Sequence, residues 1–217
     1  MRLTLIFLTA FILPISCNYS DTTKVASETV TVNQQTDTTS NKSERQLLIE
    51  ELKRLQAVFA SKDKEKIADI FQFPLSDTTV GIYIDDSTFN AQLEKNGGKT
   101  TRAMFIRHFS DISESLQIAQ INELFKKIDI DRLLQKDTLQ NEVIIKTEPC
   151  YHYYDVSVDR NLVTLTVGTN SNRDYKSKSV SEDEIPENSS EFCDDVLWWV
   201  FRFDGKKLHF RNISGAG

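Results

Sequence analysis

The strongest constraint on the fold is how the chain ends. In residues 196–203 the apolar side chains Leu197, Trp199, Phe201 and Phe203 fall on alternate positions, and Leu208 and Phe210 continue the row beyond Asp204-Gly205. Alternation with a period of two marks a strand with one buried face, and Asp-Gly marks a hairpin turn. A loop of two or of four residues preserves the parity, so both apolar rows lie on the same side of the sheet. Trp198 and Arg211 then fall on the other side as a cross-strand cation–π pair. An isolated hairpin is marginal in water, so the rest of the chain must supply more strands and a layer to cover the apolar row.

Those parts can be read upstream. Residues 142–146, 151–158 and 162–169 have strand texture, and Asp159-Arg160-Asn161 forms a tight turn between the last two. Residues 170–192 form a long polar excursion. The first half of the chain has helical texture instead. Ser43-Glu44-Arg45-Gln46 has the form of a capping box, and Leu48, Leu52, Leu55 and Phe59 recur on one helical face. Asp63 can cap a second short helix with Ile67, Ile70 and Phe71 buried, which must end before Pro74. A strand is expected at 79–84, a turn at Lys95-Asn96-Gly97-Gly98, and a third helix from Thr100 or Thr101 through His108. Residues 118–134 read as helix, although Ile128-Asp129-Ile130 alternates.

Helices first and antiparallel strands last describe an α+β domain, with N-terminal helices packed on one face of a curved, mainly antiparallel sheet. The opening helical hairpin (47–59 and 67–71) and the closing pair, Trp198-Trp199-Val200-Phe201-Arg202-Phe203-Asp204-Gly205 with Leu208-His209-Phe210, resemble the nuclear transport factor 2-like (cystatin-like) cone fold. The resemblance covers residues 44–217. It implies a cavity on the helix-facing side of the sheet, and Tyr151, Tyr153, Asp155 and Trp199 are the candidate pocket residues. Members of that fold include isomerases and dehydratases, which makes an enzyme using a carboxylate with Tyr or His the alternative reading.

The chain begins with Met1-Arg2, a nearly unbroken apolar stretch over residues 3–15, and Ser16-Cys17. One positive charge, a short hydrophobic run and a small residue make the layout of a secretory signal, too short to span a bilayer. Pro14-Ile15-Ser16-Cys17 resembles the lipobox of bacterial lipoproteins, with Pro where that pattern usually has Leu or Val. The resemblance implies removal of residues 1–16 and a lipid anchor on Cys17. Because Asn18 follows, it also implies outer-membrane sorting in a Gram-negative envelope, facing the periplasm or the cell surface. Residues 17–43 are rich in Ser and Thr and poor in apolar residues, and read as a tether to the folded domain 44–217. At roughly 5–6 Å × √n, this tether reaches about 25–30 Å. Asp21-Thr22-Thr23 and Asp37-Thr38-Thr39 within it resemble short Asp-Thr-X sites of periplasmic O-glycosylation.

Two further cysteines, Cys150 and Cys193, flank strand regions in a chain that leaves the cytoplasm, where an oxidising compartment favours a disulfide. That bond would close a loop of about 44 residues, worth roughly 4 kcal/mol in the chain-entropy model. Lys and Arg number 26 against 32 Asp and Glu, a net charge of −6. This acidic balance argues against nucleic acid as a partner. Gly97-Gly98-Lys99-Thr100 lacks the glycine a phosphate loop needs five residues before Gly98, where Leu93 stands. His108, His152 and His209 have no metal spacing, and Glu182-Asp183-Glu184, Glu187, Glu191 and Asp194-Asp195 lack the order of a calcium loop. No metal or cofactor is therefore expected. The sequence points to a membrane-anchored, non-enzymatic module that binds a small ligand or an envelope protein. A structural subunit of an envelope complex is the remaining alternative.

Overall fold

A computed structural model describes residues 42–175, 185–186 and 189–217. The expected signal, Cys17, the expected tether through residue 41 with its Asp-Thr-X motifs, and Glu182, Asp183, Glu184 and Glu187 lie outside the described residues.

The protein is α+β, with its helices preceding a five-stranded antiparallel sheet. Helix α1 (Glu44–Ser61) starts at the capping box: the Gln46 N–H donates to Ser43 Oγ, and the Ser43 N–H donates back to Gln46 Oε1. It stops where Lys62 turns left-handed at φ 54°. Helix α2 (Lys64–Ala68) is capped by Asp63, which accepts the N–H groups of Glu65 and Lys66. A two-residue strand β1 (Leu75–Ser76) follows and pairs with β2 (Lys99–Thr100). Between them lies α3 (Ser87–Lys95), and beyond them come α4 (Arg102–Arg107), α5 (Phe109–Ser115) and α6 (Ile118–Lys127). The Ile128-Asp129-Ile130 alternation breaks the predicted 118–134 helix, and one 3-10 turn (Ile130–Leu134) completes it. Among the described residues no helix is long and apolar enough to cross a membrane.

The large sheet is a meander in the order β3 (Thr138–Val143), β4 (Cys150–Asp159), β5 (Leu162–Ser171), β6 (Asp194–Phe203), β7 (Leu208–Ala216). Cross-strand neighbours share a face, so register defines the inner one: Tyr154–Val167–Leu197, Val156–Leu165–Trp199 and Val158–Val163–Phe201. Helices cover this face. Phe59 of α1 meets the Trp199 ring edge-on at 5.5 Å, and Phe71 lies 5.8 Å from Trp199 and 4.8 Å from Phe210. Tyr154 donates its hydroxyl to Gln120 Oε1 on α6 at 2.9 Å. Glu51 accepts the Leu208 N–H at 3.2 Å, tying α1 to the closing hairpin.

Strand β3 spans 138–143 where a strand was expected at 142–146, and two further local features depart from the sequence expectation. The β6–β7 register shifts between Val200 and Phe201, with Phe201 opposite Phe210 but Val200 opposite Asn212. Arg211 is the extra residue of a β-bulge. The shift places Trp198 opposite Ser214, so Trp198 and Arg211 are not cross-strand partners. It also brings Ile213 opposite Trp199 and into the core, where an unbulged strand would have put Asn212. The second such feature is residues 79–84, which begin in a turn and form no strand. One backbone hydrogen bond links them to β7, Ile213 N–H to Thr79 O at 2.8 Å. The hairpin loop has four residues, 204–207, because Asp204 accepts the Lys206 and Lys207 N–H groups and closes the turn itself.

Trp199 is fully buried at the centre of this packing. Trp199→Ala is expected to destabilise the domain by about 3–5 kcal/mol, read from the urea midpoint. Deletion of Arg211 removes the bulge yet keeps Ile213 opposite Trp199, and is expected to cost far less in the same assay.

Candidate functional site

Strand β4 carries the candidate residues, and alternation decides which way they face. Tyr154, Val156 and Val158 point to the helices, so Tyr151, Tyr153 and Asp155 share the outer face. Trp199 alone lies on the inner, helix-facing side where the cavity was expected, and the other three lie on the opposite face. The structure therefore brings three of the four predicted pocket residues together and separates the fourth. The physical reason is register: the row through Asp155 runs to Thr166 and then to Trp198. Trp198 is the indole on the tyrosines' side, two strands from Asp155.

The outer face around these residues is built in rows. Glu142, Tyr153, Gly168 and Val196 form one, and Gln140, Asp155, Thr166 and Trp198 form the next. Gly168 shapes the floor. A Cβ there would fall on the Tyr153 ring, so the ring lies flat across the sheet where a side chain would otherwise stand. Tyr151 accepts a hydrogen bond from Asn170 Nδ2 at 3.2 Å on its hydroxyl. Thr166 and Val196 are buried, while Tyr151, Tyr153, Asp155 and Trp198 are half-buried. Cys150 and Cys193 stand at one end of this face, at disulfide distance with Cα atoms 5.9 Å apart.

The electrostatics set these groups apart. Burial pushes the Asp155 carboxyl above the usual carboxylate range, against a hydrogen bond from Gln140 that pulls it down. Burial also raises the Tyr153 hydroxyl, and the charges of Asp194, Tyr151 and Asp195 add to this. A half-buried carboxyl on the same face as two tyrosines and an indole can accept or donate hydrogen bonds while the rings supply stacking surface. That combination suits a ring-shaped ligand carrying polar groups.

Of the histidines, His108 is buried and places Nδ1 3.0 Å from Asp86 Oδ2. Asp86 also caps α3, and the Phe89 N–H above all holds its carboxyl below the usual range. The His108 Nε2 is buried without a hydrogen-bond partner, so the pair braces α3 against α4 and presents no reactive nitrogen to solvent. His209 is exposed and sits 2.8 Å from Asp204 in the closing turn. Among the described residues no three His, Cys, Asp or Glu side chains are grouped to hold a metal.

Trp198, which the sequence reading paired with Arg211 and left out of the pocket, belongs to this face. A signal for it existed. On β4 only the even-numbered side reads Tyr-Val-Val without a charge, so the even side must be the buried one. Strand pairing then carries Asp155 to Trp198, but only once register is known.

Asp155 has a raised folded pKa, so its native state loses stability as pH rises through the carboxylate range. Asp155→Asn removes that loss. The variant is expected to melt higher than the parent at pH 7 and no higher at pH 3, measured by thermal denaturation at both pH values.

No family model matches the chain, and neither does any curated protein or solved structure.

Proposed function

We propose that the chain is a lipid-anchored binding module of the bacterial cell envelope, held on the membrane through Cys17. Its cone-type α+β domain binds a small ligand on the outer face of its sheet. The observation that supports export is the approach of Cys150 and Cys193, a pairing suited to an oxidising compartment. It agrees with the signal-like start and the lipobox-like Pro14-Ile15-Ser16-Cys17. The ligand face is supported by its construction. A half-buried carboxyl with a raised pKa shares the outer face with Tyr151, Tyr153 and Trp198, the kind of grouping binding and catalytic sites use. In this reading Tyr153 and Trp198 supply the stacking surface, while Asp155 and Asn170 orient the ligand.

Lipid anchoring has a direct test. A diacylated cysteine with further acylation holds a protein on membranes stably, because each buried CH₂ contributes about 0.8 kcal/mol. The wild-type chain is expected to stay with the membrane fraction after a high-salt wash, and the Cys17→Ala variant is expected to be released. Retention of the variant in high salt would overturn the anchor.

A further inference from the structure

We propose that a second site, on the opposite edge of the sheet from β7, binds a small multivalent anion bearing phosphate or carboxylate groups. A concavity of about 340 Å³ opens between the end of α6, the 3-10 turn and strand β3. Lys127, Arg132 and Lys136 line it, with Asp129 the one carboxylate among its walls. The chain as a whole carries a charge of −6, so three cations around one hollow are a local reversal of its balance.

The surrounding charges explain why this reversal persists. Four neighbouring carboxylates are already engaged. Glu123 pairs with Lys126, Asp131 with Lys53 at 2.7 Å, and Asp137 with Arg45 at 3.0 Å. Asp129 accepts the Asp131 N–H at 3.2 Å and so caps the 3-10 turn. Among the described residues Lys127, Arg132 and Lys136 form no ion pair, although Lys127 lies near enough to Glu123 to help lower its pKa. Three cations left unpaired around a hollow repel one another, and a bound anion would relieve that repulsion.

The backbone adds donors. Val158 donates its N–H to Asp137 O at 2.8 Å, which turns the backbone groups of Asp137, Leu139 and Asn141 toward β4. The N–H groups of Thr138 and Gln140 therefore face the open edge, where they border the concavity. The hollow is also held in shape. Arg45 of α1 donates to Leu133 O at 2.6 Å and to Lys136 O at 2.7 Å, clamping the turn that carries Arg132 and Lys136. Strand-edge amides, a planar guanidinium and two ammonium groups around a small volume match a polyanion. The volume lies near the lower end of the range for small-molecule sites, about 300–1,000 Å³, so the ligand is small.

The test is calorimetric titration of the full chain carrying Cys17→Ala, so that no lipid is attached. The probes are inorganic pyrophosphate, citrate, and phosphatidylcholine vesicles with and without phosphatidylglycerol. Binding of pyrophosphate or citrate at one site is expected, weakened by added salt. Arg132→Gln with Lys136→Gln is expected to weaken it about tenfold or more. Tyr153→Ala, on the outer face, is expected to leave it unchanged. Vesicle binding that needs phosphatidylglycerol and is lost in the same double variant would place the anion in a headgroup. Failure of all three anionic probes at about 10 mM anion, a concentration far weaker than any useful affinity, would overturn the proposal. So would binding that survives the double variant. Neither result bears on the anchor or on the outer face, which these variants leave intact.

Discussion

The domain depends on one meeting of aromatic rings. Trp199 on β6 receives Phe59 from α1, Phe71 from the segment after α2, and Phe210 from β7 at 6.2 Å. Phe71 also reaches Phe105 of α4 at 5.2 Å, so a single cluster links the opening hairpin, the middle helices and the last two strands. The Trp199 Nε1 is buried without a partner, an unmade hydrogen bond that the surrounding ring contacts must outweigh. The bulge at Arg211 belongs to the same arrangement. It turns Ile213 inward beside Trp199 and extends the apolar row to the end of the sheet.

This cluster occupies the helix-facing side of the sheet. The outer face keeps groups that a core would exclude: a carboxyl with a raised pKa, a tyrosine laid over glycine, and an indole half open to solvent. Val196 and Ile185 are buried but stand outside the main core cluster, so apolar burial is not confined to the helix side. Cys150 and Cys193 approach at the same end of the sheet. The polar excursion between β5 and β6 thus leaves and returns beside the candidate ligand face.

Local chemistry was legible in the sequence and long-range geometry was not. The Ser43–Gln46 capping box, the Asp63 cap and the Asp204-Gly205 turn are each satisfied within a few residues, so they could be read directly. The alternation of Leu197, Trp199, Phe201 and Phe203 likewise marked the closing strand. Residues 79–84 have strand propensity, but whether they pair depends on β7, far away in sequence, which offers them one hydrogen bond. Helix α3 rests on Asp86, whose second oxygen is taken by His108, 22 positions on. At the site, parity grouped Tyr151, Tyr153 and Asp155 correctly. It could not align β4 with β6, so Trp199, which does face the helices, was grouped with three residues that lie on the opposite face. The basic hollow was invisible because Lys127, Arg132 and Lys136 matter only for what their neighbours have already engaged.

The two sheet edges show how that accounting produces different surfaces from similar strands. Unpaired strand edges invite pairing with other chains and are usually blunted by charge or by cover. Along β7 the cover is the segment at 77–83, which takes the Ile213 N–H and leaves a groove of about 520 Å³ lined by Asp77 and Asp195. Along β3, among the described residues, no further strand pairs with the edge, and cations stand beside it. Lysines at an open edge discourage self-association, because a second copy would bring the same charges against them. The same cations, left unpaired while Arg45, Lys53 and Lys126 neutralise the neighbouring acids, give that edge an affinity for anions. Protection against aggregation and recognition of a polyanion therefore follow from one arrangement of charge.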